Sequence, residues 1–174
     1  MSILKFLGLE DDGQAVSALE SETIRRLRQE LGRLGSGKAR YIASFAHILG
    51  RVAQADECIS AQELAAIEEA VRNEAHLDDR QTAIVMDLTR NRGALEDTVD
   101  TLVTAEFSRV ANREQKAQLV NCLFAVAAAE GDISKVEEDT IRQISNEIRL
   151  PERDFTVVRY RYLKHLHRSA KAGG

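Results

Sequence analysis

The sequence predicts an all-α protein, a compact bundle of about seven to eight helices built from two pseudo-symmetric helix–turn–helix units. Composition is the first reason, because the 174 residues include one proline and no tryptophan and are rich in good helix formers. The second reason is residues 119–129, the longest apolar run in the chain, which predicts the most buried helix. The third is an internal repeat, in which residues 52–63 resemble residues 126–137.

The repeat brings the same residue types back after 74 positions, as VAQADECISAQE and then VAAAEGDISKVE. After a one-residue shift the similarity continues, and Asn73-Glu74 pairs with Asn146-Glu147. Two copies of so long a unit do not fit a solenoid, which stacks many short repeats. We therefore predict one helix–turn–helix unit that is used twice about a pseudo-twofold axis.

The chain divides into three parts. Residues 1–37 hold a short apolar segment and an amphipathic helix, residues 38–168 are expected to form the helical domain, and residues 169–174 a flexible tail. The apolar start is expected to pack on its own domain or to fray, and a weak membrane-surface or partner anchor is the alternative. One lysine and so few residues disfavour stable membrane binding, and no segment has the roughly 20 apolar residues of a membrane span. Two distant cysteines without a C-x-x-C motif fit the reducing cytosol.

Apolar stripes at helical spacing define the predicted helices. In chain order they cover residues 20–34 and 40–55, Ser60 through Val71, Asp79 through Leu88, Leu95 to about Phe107, residues 114–129 and 134–148, and Pro151 through Leu166. Pro151 suits a first helical turn because its missing N–H costs nothing there. His47 lies off its stripe and is expected at the surface. The predicted core is Phe45, Leu49, Val52, Ile67, Leu102, Leu123, Val126, Ile141 and Ile144.

Both copies of the repeat contain Ser-x-x-Glu, the signature of a capping box, in which the serine and the glutamate satisfy each other's backbone N–H groups. The residues are Ser60 and Glu63 in the first copy and Ser134 and Glu137 in the second. Capping explains these four residues without any ligand. The second copy has Glu138 where the first has Leu64, which is placed for a hydrophobic staple.

Capping does not explain Asp56, Glu130 and Asp132, which lie where the preceding helices end. Carboxylates near a helix C-terminus are unfavourable by roughly 0.3–1 kcal/mol each, so their repetition suggests a use. If the two turns converge, they form an oxygen-rich cluster that suits a hard divalent cation, calcium first. Neither turn has EF-hand spacing, and a solvated acidic face is the alternative.

An Ala-rich buried helix, an acidic turn and Ile-Ser-x-x-Glu, all present twice, resemble the tellurite-resistance TerB family over residues 38–168. The pattern is also similar to the helical region of some membrane-anchored J-domain co-chaperones. The resemblance implies an all-helical fold with an acidic surface proposed to bind metal ions. It further implies a role in bacterial stress or tellurite response through membrane-associated partner complexes, with no established catalytic activity.

Matched position by position, the acidic turn of that family falls on Asp56, Glu130 and Asp132, and its following glutamate on Glu63 and Glu137. The resemblance therefore makes these five residues the candidate metal ligands. The second copy keeps Gly131, which allows unusual backbone angles. The first copy departs from the pattern, with Glu57 in place of that glycine and Cys58 where an acid is common.

Catalytic motifs such as G-x-S-x-G, H-E-x-x-H or a phosphate-binding glycine loop do not occur. The net charge of −4 argues against a nucleic-acid binder, although the last helix is basic. We expect a cytoplasmic, non-catalytic stress-response module that binds protein partners, including a complex at the inner membrane, and a divalent cation. The alternative is a metal-free scaffold whose acidic face binds a basic protein partner.

Overall fold

The computed structural model describes residues 22–53, 60–91, 100–129 and 131–166. These residues form eight helices and no β-strand, which confirms the predicted all-α fold. The helices are α1 (Glu22–Arg33), α2 (Ser36–Ala53), α3 (Ala61–Glu74), α4 (Asp79–Arg90), α5 (Asp100–Val110), α6 (Arg113–Ala128), α7 (Lys135–Glu147) and α8 (Glu152–Arg161). An isolated parallel β-bridge joins Ile133 to Leu166.

Two helices form the centre of the bundle. α6 contains most of the apolar run of residues 119–129 and contacts α2, α3, α7 and α8. Residues 119–124 on this helix are all buried, as predicted. α2 is nevertheless more deeply enclosed, since it contacts α1, α4, α5, α6 and α7 and every residue from 41 to 50 is buried. The expectation that residues 119–129 form the most buried helix is therefore wrong, and α2 holds that rank.

The enclosure of α2 also explains one wrong surface prediction. His47 is only 8% exposed, because a helix surrounded by five others has almost no solvent-facing side. A second error concerns Leu102, which was expected in the core and is 52% exposed. Its neighbour Val103 and Phe107 form the buried face of α5 instead. The other predicted core residues are buried, with Val52 partly so.

The two copies of the repeat share their local backbone. α3 and α7 begin at N-cap residues Ser60 (φ −68°, ψ 160°) and Ser134 (φ −66°, ψ 160°). Each helix is followed by a residue in the left-handed region, His76 (φ 52°) and Arg149 (φ 58°). The next helix begins three residues further on in both copies. The turns and caps are thus repeated, while the pseudo-twofold relation between the units stays a prediction.

An ion pair joins the two copies of the repeat. Arg51 near the end of α2 donates to Glu147 at the end of α7, with 2.7 Å between Nη1 and Oε2, and the two side chains are only 12% and 20% exposed. Burial raises the pKa of Glu147, but the hydrogen bonds from Arg51 and Gln143 lower it by more than burial raises it. The pKa of Glu147 therefore lies below its ordinary value. The pair therefore stabilises the contact between α2 and α7.

We expect replacement of Leu123 by alanine to lower the free energy of unfolding by about 2–5 kcal/mol, because the side chain is fully buried in α6. Urea unfolding followed by circular dichroism measures the loss. Val136→Ala is the control, since Val136 is exposed on α7 and should change stability by no more than about 0.5 kcal/mol. A similarly small loss for Leu123→Ala would contradict the packing of α6.

Replacement of Arg51 by methionine should cost about 1–3 kcal/mol at pH 7, because it leaves the Glu147 carboxylate partly buried without its charged donor. The folded pKa of Glu147 is lowered, so the contribution of the pair is complete above the ordinary pKa of about 4.3. That contribution is lost as the pH falls through the folded value. Urea unfolding from pH 7 to pH 3 should therefore show the wild-type advantage shrinking as the pH falls.

Arg72→Met is the matched control for this measurement. Arg72 pairs with Glu68 at 3.0 Å, but both side chains are well exposed, and such pairs contribute roughly 0.2–1 kcal/mol. Its effect should be smaller than that of Arg51→Met. Equal effects of the two substitutions would mean that burial of the Arg51–Glu147 pair has no energetic consequence.

Candidate functional site

The second acidic turn begins where α6 ends. Ala129 caps the helix, and the N–H of Gly131 donates to the carbonyl oxygen of Ala128 at 3.1 Å. Gly131 has φ +125°, a backbone conformation that glycine reaches without the steric cost other residues meet. The prediction that this glycine allows unusual backbone angles is confirmed. The chain can therefore reverse directly after a buried helix.

Ile133 anchors this turn to the far end of the chain. Its side chain is fully buried, and its N–H donates to the carbonyl oxygen of His165 next to the β-bridge with Leu166. Asp132, one residue earlier, is exposed and forms no ion pair within the described ranges. The burial of Ile133 thus holds the carboxylate of Asp132 at the surface.

Both predicted capping boxes are confirmed. In the first, the N–H of Glu63 donates to Ser60 Oγ at 3.1 Å, and the N–H of Ser60 donates to Glu63 Oε2 at 2.6 Å. In the second, the corresponding distances between Glu137 and Ser134 are 3.2 and 2.8 Å. Each glutamate therefore uses one oxygen to cap its helix, and its Oε1 takes no part in that bond.

The five candidate ligands are only partly covered by the structure. Glu63, Asp132 and Glu137 are placed as above, whereas Asp56 and Glu130 lie outside the described residues. Within residues 22–53, 60–91, 100–129 and 131–166, no three histidine, cysteine, aspartate or glutamate side chains are grouped closely enough to hold a metal ion. The convergence of the two turns and the metal site stay predictions.

A charged contact beside the second turn was missed from the sequence. Glu138 accepts a hydrogen bond from Arg159 Nε at 2.6 Å, and the carboxylate side chain is 14% exposed. The pair ties the first turn of α7 to α8. Its only sequence signal is that Glu138 replaces the apolar Leu64 of the first copy, which suggests a polar partner without naming it.

Comparison with protein families identifies the family to which this fold belongs. The model of the tellurite resistance protein TerB matches residues 42–160, more than half of the chain. This chain belongs to the TerB family. The matched region runs from α2 to α8 and includes both capping boxes and both acidic turns, so the resemblance inferred from the repeat is confirmed.

Two further comparisons give no additional relatives, since no curated protein and no solved structure matches the chain. A search of the described helices for membrane spans finds none that combines sufficient length with sufficient apolar character.

Replacement of Gly131 by alanine should lower stability by about 1–3 kcal/mol, the cost of holding a residue with a Cβ atom in a disfavoured backbone region. A Cβ at this position meets no atom within 4 Å, so the loss would report backbone conformation and not a clash. Gly37→Ala is the matched control, because Gly37 is also uncrowded but lies within α2. That change should be neutral or stabilising by up to about 1 kcal/mol. Thermal melting of both variants decides, and a Gly131→Ala protein as stable as Gly37→Ala would contradict the turn geometry.

Proposed function

We propose that this TerB-family chain acts in the response to tellurite and related stress as a non-catalytic module. In this proposal it binds protein partners in the cytoplasm, including a complex at the inner membrane, and holds a divalent cation at its acidic turns. The observation that carries the proposal is the family match over residues 42–160, which includes both turns.

The chemistry of the turns favours a hard cation such as calcium. The candidate ligands all offer carboxylate oxygens, the donors that calcium prefers, and Glu63 and Glu137 each retain an oxygen outside the capping bond. The positive end of a helix dipole disfavours a cation at the starts of α3 and α7. Asp56, Glu130 and Asp132 must therefore supply the charge that overcomes this repulsion.

A metal-free scaffold that binds a basic protein partner is the second candidate. One specific observation favours it, because Glu63 and Glu137 already have a structural role as caps. In that case Asp132 and its acidic neighbours would contact lysine or arginine side chains of the partner directly.

Thermal melting with calcium, magnesium and zinc separates the two candidates. A ligand at 100 times its dissociation constant adds about 2.7 kcal/mol to the free energy of unfolding, which for a chain of this length is roughly 5–10 °C in melting temperature. We expect calcium to stabilise the wild type in this range. The double variant Glu130→Gln, Asp132→Asn should lose most of the shift.

Glu137→Gln is the internal control, since glutamine can still close a capping box. It should keep most of the ion-free stability, and loss of the calcium shift in this variant would add Glu137 to the ligands. Equal, weak shifts with all three ions would indicate only screening of an acidic face, and the metal site would then be abandoned.

Affinity capture from the native host tests the partner role. Membrane transport proteins or stress proteins that bind the wild type are the expected result. Capture of a metabolic enzyme complex in their place would contradict the proposed role.

A further inference from the structure

A cleft of about 510 Å³ opens between the end of α3, the first half of α6 and α8. Glu74 and Asn121 line it, and the exposed Val157 stands at its border. Glu74 also lines a second cavity of about 280 Å³, together with Ala125 and Tyr162. Glu74 thus lies where two concave regions of the surface meet, and the smaller one reaches Ala129 at the end of α6.

The hydrogen bonding around Glu74 is incomplete. Asn121 is only 4% exposed and donates from Nδ2 to the Glu74 carboxylate. Because an ionised carboxylate can only accept, this bond fixes which way the amide points. Asn121 Oδ1 is then buried without a donor, a costly state for a polar atom. Within the described part of the chain, Glu74 also forms no ion pair.

The internal repeat offers a direct comparison for Glu74. Glu74 corresponds to Glu147 in the second copy, 73 positions later, and both end their helices. Glu147 accepts a hydrogen bond from the guanidinium of Arg51 at 2.7 Å. The residue that corresponds to Arg51 is Ala125, which lines the smaller cavity beside Glu74. Among the described residues, Glu74 therefore has the carboxylate and the adjoining space, but the position that matches Arg51 holds no cation.

We propose that Glu74 binds the guanidinium of an arginine side chain from a partner protein, in the place that Arg51 takes at Glu147. A guanidinium has five N–H donors in a planar fork, enough to serve both the carboxylate and Asn121 Oδ1. Because Oδ1 is covered by its neighbours, the proposal requires the Asn121 amide to turn when the arginine binds. In this proposal the arginine binds without a cation at the acidic turns.

The charge of the larger cleft fits a cationic ligand. Its lining contains three carboxylates, Glu74, Glu114 and Asp154, against two guanidiniums, Arg113 and Arg161. Arg113 is already bound to Asp154 through two hydrogen bonds of 2.6 and 2.7 Å. The remaining groups leave an excess of one negative charge, which favours arginine over an acidic side chain.

Exposed apolar groups beside the cleft favour a protein as the source of the arginine. Val157 and Tyr160 are 60% and 73% exposed and share one face of α8, because they are three residues apart. Aromatic side chains are enriched at protein interfaces. A free amino acid in the cleft would leave Tyr160 uncovered, because Tyr160 does not line the cleft, whereas a partner chain can cover it.

Titration of the ¹⁵N-labelled full chain with Nα-acetyl-L-arginine methylamide, followed by NMR, tests the site. We expect saturable shifts that are largest at the Asn121 side-chain amide and at the backbone of residues 74 and 125. The citrulline analogue has nearly the same shape without the charge and should bind about tenfold more weakly or less. Equal binding of the two probes, or no saturable shift at Asn121, would overturn the proposal.

Variants of the full chain locate the charge that the probe recognises. Glu74→Gln should weaken probe binding about tenfold while it retains an acceptor for Asn121. Glu68→Gln removes the same charge from α3 at a position that lines neither cavity and should leave binding unchanged. Equal losses in both variants would indicate general charge attraction and refute a site at Glu74.

Ala125→Arg tests the comparison with Arg51, because it supplies the missing guanidinium within the chain. Probe binding should fall at least about tenfold in this variant, and unchanged binding would contradict the assigned place. If Ala125→Arg does not fold, the citrulline analogue and Glu74→Gln still decide.

Tighter binding of free L-arginine than of the blocked probe would overturn the partner assignment. Titration in EDTA should give the same affinity, so the outcome is independent of the cation experiment.

Discussion

The enclosure of two apolar helices is the constraint on which the structure depends. The middle of α2 and the run of residues 119–124 in α6 present no polar face, so each must be covered on almost every side to remove its surface from water. α4 and α5 cover α2, α3 and α8 cover α6, and α7 contacts both. On α6, charged side chains are exposed at the start of the helix, and polar groups are exposed again just beyond its end. The acidic turn at Gly131 and Asp132 is the place where the chain reaches solvent after α6.

Local features of the fold could be predicted from the sequence because their partners are close in the chain. The Ser60 and Ser134 capping boxes each close within four residues, so a short motif specifies them. Core membership depends on distant neighbours and was less predictable. Leu102 and Val103 are adjacent apolar residues, and only the packing of α5 decides which of them is buried. The surface prediction for His47 is wrong because a single apolar stripe implies an opposite, exposed face, which α2 lacks.

The candidate site shows the same division between local and distant contacts. The backbone of the second turn followed from Gly131, but the Arg51–Glu147 and Arg159–Glu138 pairs join residues 96 and 21 positions apart. Nothing in the sequence pairs these charges until the helices are packed. The repeat makes the differences informative, because Glu147 pairs with Arg51, whereas none of the described residues forms an ion pair with Glu74. Asp56 and Glu130 lie outside the described residues, so the metal site rests on the motif and the family.

The bridge between Ile133 and Leu166 gives the acidic turn a mechanical connection to the last described residues of the chain. The turn has few other constraints on its outer side, since Asp132 is exposed and forms no ion pair among the described residues. A displacement of residues 165–166 would therefore be passed to Ile133, the residue that follows Asp132. A fluorescent protein or purification tag that is fused just after Leu166 without a long spacer would pull on the turn. The spacer length therefore has to be held constant in any measurement of this surface.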